Sequence, residues 1–319
     1  MTTYIVRRVL GAIPLLLVIT LISYALMGLA PGGPTALLTR EAHAMTPAAR
    51  EQMLAMLGLN RPWYVQYFYW LSALVLHGNL GTSYVDGRPV LEKILEKLPI
   101  TVELLGLSQL LTLAIAIPVG VRSAVRRNSL FDHAATVVAF ATYGIPVFWL
   151  GLMMIDLFAL HLHWFPASGY ASLGHAHDPL DHLRHLILPA VTLSIVSLAG
   201  WIRYQRGAML NVLDEPYVRT ARSKGLSERV VIYRHALRNA LIPTLTLLGL
   251  TLPALVGGAY FLEYVFSIPG MGYLYLTAVF ERDYPTVMGI TLLTAVLVVL
   301  GNLLADIAYA VADPRVRYD

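Results

Sequence analysis

Six apolar stretches, each free of Asp, Glu, Lys, Arg and His, constrain what this chain can fold into. Crossing ~30 Å of hydrocarbon takes an α-helix of about 20 residues, or as few as 17. Lipid offers no partner to an unpaired backbone group, so uninterrupted stretches of this length must be helical. We therefore predict an all-α, polytopic membrane protein with six transmembrane helices. The predicted spans are Val9–Leu29, Leu104–Val121, Ala134–Ile155, Leu186–Ile202, Ala240–Leu262 and Pro285–Ala305.

The overall composition agrees with this prediction. Hydrophobic residues make up 57% of the 319 residues and charged residues 13%, against roughly 25% charged in an average soluble domain. The first stretch follows Arg7 and Arg8, as a signal peptide would, but it is too long and lacks a small-x-small cleavage site. We interpret it as a retained first helix. There is no cysteine, which leaves the redox compartment undetermined.

The distribution of Lys and Arg predicts the orientation. With the amino terminus inside, fifteen of the 23 basic residues fall in inside segments, and most others lie in one long outside segment. The positive-inside rule therefore places both termini in the cytoplasm. The net charge of +4 then reports topology, not nucleic-acid binding, which would need aromatic residues interleaved with the basic ones.

Two segments outside the spans have helical patterns of their own. The outside insertion, residues 30–100, contains a capped amphipathic helix at Thr46–Leu59 and an aromatic interfacial helix between Arg61 and Gly78. The cytoplasmic loop, residues 207–239, predicts a short helix with a cap at Asp214, ending before Gly225. A second helix begins at Ser227. We predict that residues 1–319 form a single membrane domain and that the loop is a docking surface.

The fifth predicted span carries a stripe of small and helix-bending residues, Gly249, Pro253, Gly257 and Gly258, followed by Glu263. Such a stripe favours either close helix packing or a face lining a pathway. We keep these five positions as candidates for a pathway or gate.

Few ionisable groups lie near the span ends. Asp306 matches Arg203 and Arg206 in predicted depth, so we predict a structural ion pair between Asp306 and one of them. Asp156, after the third span, has no role that the sequence explains.

The outside loop His161–His185 holds six of the ten histidines. Imidazole suits zinc, copper and nickel, which makes a metal site one interpretation. A polar surface loop is the other, because His-x-His pairs in loops lack fixed ligand geometry. We predict no metal site.

The chain carries no G-x-x-x-x-G-K-[ST], H-E-x-x-H or G-x-S-x-G motif. We therefore predict that it is not an enzyme and has no cofactor of its own. A pore-forming subunit driven by a separate engine fits best, and a membrane scaffold without a pathway is the alternative from another class.

Several segments together carry a family resemblance. They are "YIVRRVLGAIPLLLVI", "LGLNRPWYVQYFYWL", "NLGTSY", "RTARSKGL" with "RHALRNALIP", "EYVFSIPGMG" and "ADPRVR". Nearly end to end, the chain resembles the first permease of the ATP-binding-cassette (ABC) importers for dipeptides, oligopeptides and nickel. The superfamily's loop signature is Glu-Ala-Ala, three residues, then Gly. Here the triplet falls on Arg219, Thr220 and Ala221, and only Ala221 and Gly225 match.

This resemblance implies an importer permease of type I fold in the cytoplasmic (inner) membrane. Its implied partners are a second permease, two cytoplasmic ATPases that bind ATP and Mg, and an extracytoplasmic substrate-binding protein. Peptide or nickel as substrate is left open. The residues implied to couple to an ATPase are Tyr217, Arg219, Thr220, Ala221, Arg222, Lys224, Gly225 and Leu226.

Overall fold

A computed structural model describes residues 2–29, 46–56, 58–175, 178–251 and 260–312. Within these ranges the chain is helical and contains no strand, only an isolated bridge between Thr82 and Pro89. The predicted all-α class is confirmed.

The helices follow one another with short connections. The main helices in the described ranges are α1 (Thr2–Leu29), α2 (Pro47–Met56), α3 (Trp63–His77), α4 (Val90–Val125), α5 (Leu130–Tyr143), α6 (Val147–Met154), α7 (Pro179–Leu213), α8 (Pro216–Ser223), α9 (Leu237–Thr251), α10 (Tyr260–Val265), α11 (Met271–Phe280) and α12 (Tyr284–Ala312). Helix α6 continues into the π-helical Ile155–His161. The short helix Glu228–Val230 and the π-helical Val231–Ala236 lead directly into α9.

Four helices in the described ranges are long and apolar enough to cross a membrane, or five if α5 and α6 form one bent span. The four stretches have mean hydropathies between 1.8 and 2.4. This count does not confirm the six predicted spans. The fifth predicted span, Ala240–Leu262, begins in α9 and ends in α10, but residues 252–259 between them lie outside the described residues.

The third predicted span, Ala134–Ile155, is not one continuous helix. Helix α5 ends before Gly144, α6 starts after Pro146, and the two helices are bent by 100° at this break. Pro146 has no backbone N–H to donate to a helical hydrogen bond, and its ring disfavours α-helical geometry at the preceding Ile145. The apolar pattern did not predict this break, because the residues at the break are themselves apolar or small.

The centre of the fold is the crossing of α4 and α7. A Cβ on Gly120 would lie 2.9 Å from Cβ of Gln205, so only glycine allows this approach. The Thr112 hydroxyl donates to the Ser194 hydroxyl at 3.1 Å across the same pair of helices. Gln205 in turn accepts a 2.6 Å hydrogen bond from Thr244, which ties α9 to α7.

The two helices predicted between the first and second spans are confirmed as α2 and α3. The Thr46 hydroxyl accepts a hydrogen bond from the Ala49 N–H, as the predicted cap requires. The loop after α3 is fastened to the start of α12 through the buried Asp283. This carboxylate accepts hydrogen bonds from the Ser83 hydroxyl at 2.5 Å and the Tyr84 N–H at 2.9 Å.

Candidate functional site: a candidate coupling surface

The short helix predicted in the basic loop exists as α8, Pro216–Ser223. Pro216 occupies its first turn, where the missing N–H costs nothing. The predicted cap at Asp214 is wrong, since Asp214 ends α7 and Glu215 stands at the N-cap without a side-chain bond. Asp214 is drawn into the C-terminus of α7 because the two helices meet with almost no linker.

The inner side of α8 is held by apolar contacts. Val218 is fully buried and Ala221 is 6% exposed, and both join a cluster that includes Met209 of α7. The same cluster contains Val121 at the end of α4 and Val231 of the π-helical segment. Ala221, which the resemblance assigned to the ATPase contact, therefore points into this chain's own core. Val218 is an anchor that the signature did not indicate.

The two flanks of α8 are each fastened by a polar contact. On one flank the Asn239 amide donates to the Tyr217 hydroxyl at 2.8 Å. On the other, the Arg222 guanidinium donates to the Glu228 carboxylate at 2.9 Å across the Gly225 turn. These hydrogen bonds raise the pKa of Arg222 above its usual value. Arg222 thus already has an acidic partner within the chain, which the sequence did not predict.

A helical advance of 100° per residue places Arg219, Thr220 and Ser223 on the side of α8 opposite Val218 and Ala221. All three are exposed. Lys224, Gly225 and Leu226 follow, also exposed, with 41% of Leu226 open to solvent. This outer face carries two cations, two hydroxyls and one apolar side chain, and it is free to meet another protein. Ser223 joins the predicted residues here.

Gly225 has the conformation that the sequence predicted. Its φ is +76°, in the left-handed region, and nothing lies within 4 Å of a Cβ built on it. The glycine is therefore required by backbone conformation, not by space. It sets the angle between α8 and the helix that begins at Glu228.

Of the pathway candidates, only Glu263 has a described side chain. It is fully buried: one carboxylate oxygen accepts from the Thr101 hydroxyl at 2.9 Å. The other accepts from the N–H groups of Gly272 at 2.7 Å and Tyr273 at 3.1 Å, in the first turn of α11. Glu263 thus caps a helix inside this chain. Gly249 lies in α9, and Pro253, Gly257 and Gly258 lie outside the described residues.

Arg206 makes a bidentate salt bridge with Asp132, with both N···O distances at 2.7 Å. The bridge joins the start of α5 to α7. The sequence predicts an ion pair between Asp306 and Arg203 or Arg206. In the structure, Arg206 instead pairs with Asp132, which is 74 positions away in the chain. The side chain of Asp306 lies outside the described residues, so its pairing with Arg203 stays a prediction.

In the histidine-rich loop, His185 and His161 contact other residues of the same chain. His185 is buried, and its ring nitrogens lie 3.2 Å from the Ser168 carbonyl and 3.2 Å from the Ser172 hydroxyl. His161 lies 3.6 Å from Asp156, which gives that carboxylate a contact. No three His, Asp or Glu side chains among the described residues are grouped to hold a metal ion. His177 falls outside that part of the chain.

Two family models match the chain. Residues 116–318 match the binding-protein-dependent transport system inner membrane component, and residues 1–105 match the N-terminal region of such membrane components. The chain belongs to this family. It is a multi-pass membrane protein and a membrane component of binding-protein-dependent ABC transport, as the resemblance implied. Members of this family work with ATPases and binding proteins.

Curated relatives align along the whole chain. The oligopeptide transport system permease protein AppB of Bacillus subtilis is 46% identical over 319 residues, covering 100% of both chains. The dipeptide transport system permease protein DppB of Escherichia coli is 38% identical over 339 aligned positions, covering 100% of this chain and 99% of its own. A putative peptide transport system permease protein of Brucella abortus is 40% identical over its full length.

Among solved structures, an inward-facing MetNI methionine ABC transporter matches with a TM-score of 0.55 at 20% identity. The match covers 69% of this chain and 97% of the other. This likeness shows the fold, and the predicted importer-permease fold is confirmed by it.

Proposed function

We propose that this chain is the permease subunit that forms half of the translocation pathway of an ATP-driven importer for dipeptides or oligopeptides. The observation that carries the proposal is the coupling surface. A short helix is anchored through Val218 and Ala221 and presents Arg219, Thr220 and Ser223 outward. Full-length similarity to permeases named for peptide and oligopeptide transport supports the substrate class.

The construction of the surface supports a mechanical role. The apolar cluster beneath α8 contains residues from α4, α7 and the helix leading to α9, so a force applied to α8 reaches three long helices directly. Packed side chains transmit displacement well because protein interiors have few voids. Rigid-body gating of this kind needs no covalent chemistry in the moving subunit.

The partners in this proposal are a second, homologous permease, two cytoplasmic ABC ATPases and an extracytoplasmic substrate-binding protein. ATP and Mg bind to the ATPases, and this chain contributes neither an ATPase site nor a cofactor. The exposed cations Arg219 and Lys224 meet acidic groups at the rim of an ATPase cleft, while apolar contacts such as Leu226 contribute more of the binding energy.

The proposed location is the cytoplasmic membrane, with both termini and α8 in the cytoplasm. The bias of Lys and Arg towards the inside segments supports this orientation. Residues 30–100 then face the binding protein, and α2 and α3 give that side a folded surface.

Peptide uptake by the reconstituted complex tests the proposal. Proteoliposomes with the two permeases, the ATPases and the binding protein should accumulate labelled dipeptides or oligopeptides only with ATP inside. The charge reversal Arg219→Glu should reduce uptake without reducing the amount of purified permease. Labelled nickel, offered in a parallel assay, addresses the alternative substrate. ATP-dependent nickel uptake without peptide uptake, or no uptake of either, would contradict the proposal and favour nickel import or a scaffold.

A further inference from the structure

A basic cleft lies beside α8. The outward-facing Arg219, Thr220 and Ser223 do not line it, whereas Tyr217, one of the residues implied to couple to an ATPase, does. The volume of the cleft is about 420 Å³, and it lies between Tyr217 on α8 and the helix that runs into α9. The cleft is lined by Tyr217, Arg234, His235, Arg238, Asn239 and Ile242. It holds two guanidinium groups and an imidazole, and no carboxylate lines it.

The cleft presents hydrogen-bond donors. Arg234 and Arg238 are exposed, and no acidic side chain in the described ranges lies within ion-pair distance of either. The Asn239 amide donates to the Tyr217 hydroxyl oxygen at 2.8 Å, which holds the phenol ring in place. The hydrogen of the Tyr217 hydroxyl can still be donated to another group. Guanidinium groups bind phosphate oxygens in a bidentate manner, so this set of groups suits a phosphate.

The position of the cleft indicates where that phosphate comes from. Arg238 and Asn239 immediately precede Ala240, the first residue of the fifth predicted span, and Ile242 lies in the first turn of that span. The Ile242 side chain is 46% exposed. The cleft therefore runs from a cationic end to an apolar end, at the point where the fifth predicted span would enter the bilayer. Tyr217 lies beside it, and tyrosine is typical of the membrane boundary.

We propose that this cleft binds the phosphate headgroup of an acidic phospholipid, with the acyl chain lying along Ile242 and α9. Basic pockets beside membrane helices on the cytoplasmic side bind such headgroups. A lipid fits this cleft better than an acidic protein segment does, because the apolar wall continues into the membrane. The bound headgroup would then contact Tyr217 on one flank of α8. The proposal depends on membrane placement and not on the transported substrate.

Native mass spectrometry of the purified full-length chain, doped with phosphatidylglycerol or phosphatidylcholine of matched acyl chains, tests the proposal. The variant Arg234→Gln/Arg238→Gln should bind phosphatidylglycerol roughly tenfold or more weakly, because each arginine near a lipid surface contributes appreciably. The matched control Arg126→Gln/Arg127→Gln removes the same charge from another exposed loop and should bind as the wild type does. Phosphatidylcholine should bind weakly to all three.

Several outcomes would overturn the proposal. Equal losses in the two double variants would show only a general effect of surface charge. Displacement of phosphatidylglycerol by millimolar inorganic phosphate would indicate a free-anion site. Unchanged lipid binding with loss of ATPase co-purification would assign the cleft to a protein contact. Should the glutamine pair fail to fold, Arg234→Lys/Arg238→Lys keeps the charge without the bidentate fork. It should show an intermediate loss, and no loss would contradict the proposal.

Discussion

The hydroxyl of Thr101 lies 2.9 Å from a carboxylate oxygen of Glu263, although the two residues are 162 positions apart in the chain. The same hydroxyl oxygen accepts a hydrogen bond from the Met271 N–H at 2.7 Å. Thr101 thereby joins α4 to the N-terminus of α11, with Glu263 capping the next N–H groups. A carboxylate at a helix N-terminus also interacts favourably with the helix dipole.

Thr101→Val should destabilise the protein by about 1–3 kcal/mol, because it leaves the buried N–H of Met271 and an oxygen of Glu263 without partners. Thr101→Ser keeps the hydroxyl and serves as the matched control. Apparent melting temperatures in detergent give the comparison. Equal melting temperatures for the valine and serine variants would show that this contact contributes little.

Gly225→Val should uncouple transport while the complex still assembles. At a φ of +76° a β-branched residue is strained by more than ~1 kcal/mol, and relief of that strain reorients α8. Gly225→Asn is the control, since asparagine tolerates this conformation better. Peptide uptake is measured together with co-purification of the ATPases. Normal uptake by the valine variant would refute the prediction.

Arg222→Glu should lower uptake, and the exchange Arg222→Glu/Glu228→Arg should restore much of it. The pair bridges the Gly225 turn at 2.9 Å, but its side chains are 42% and 55% exposed. We therefore expect a stability change of only about 0–1 kcal/mol. The rescue separates an internal contact from a contact with the ATPase. If the exchange leaves uptake as low as the single variant does, Arg222 acts on the partner.

Asp306→Asn should lower thermal stability more than it lowers uptake per folded molecule, since we predict that Asp306 pairs with Arg203. Arg206 is already paired with the buried Asp132, so Arg203 is the candidate that needs a carboxylate. Asp132→Asn provides the comparison and should be strongly destabilising, because it breaks a bidentate pair whose carboxylate is buried. An experimental structure with Asp306 more than about 6 Å from every basic group would refute the pairing.

Replacing His161, His163, His175 and His177 with Gln should leave substrate uptake and the metal content of the purified protein unchanged. His161 already contacts Asp156. A zinc site needs three or four ligands near 2.0–2.1 Å, and each histidine ligand also needs a hydrogen-bond partner that orients its ring. Elemental analysis and uptake are the measurements. Loss of stoichiometric nickel or zinc would move the substrate towards nickel.

Residues at its own ends made α8 predictable from the sequence. Pro216 and Gly225 mark its two ends, and neither depends on distant residues. The contacts that fasten it were not predictable in the same way, because Tyr217 meets Asn239 and Arg222 meets Glu228 only once the chain has turned back. The same limit explains Asp132 and Thr101. Their partners lie 74 and 162 positions away, and a single sequence carries no signal that joins them.

Apolar runs identified the four long helices that could cross a membrane, but not the continuity of the third predicted span. The break at Gly144–Pro146 falls inside an unbroken apolar stretch, so hydropathy alone predicts one span where the structure has two helices. Glu263 is a gate candidate because it follows a glycine-rich span, and that role stays a prediction. The structure adds a role that the sequence did not predict, since its carboxylate caps α11.

The π-helical Val231–Ala236 separates the coupling surface from the apolar body of α9. A π-turn amounts to one residue more than an α-helix needs for the same path. Deleting a single residue from this segment would let the helix relax to ordinary α geometry. Because the removed residue is the surplus one, the shortened helix would keep α8 close to its present angle to α9, whereas a deletion within an α-helical stretch would turn the two by about 100°. Val231–Ala236 is therefore a stretch in which the chain can lose one residue and still hold α8 and α9 in the same mutual orientation.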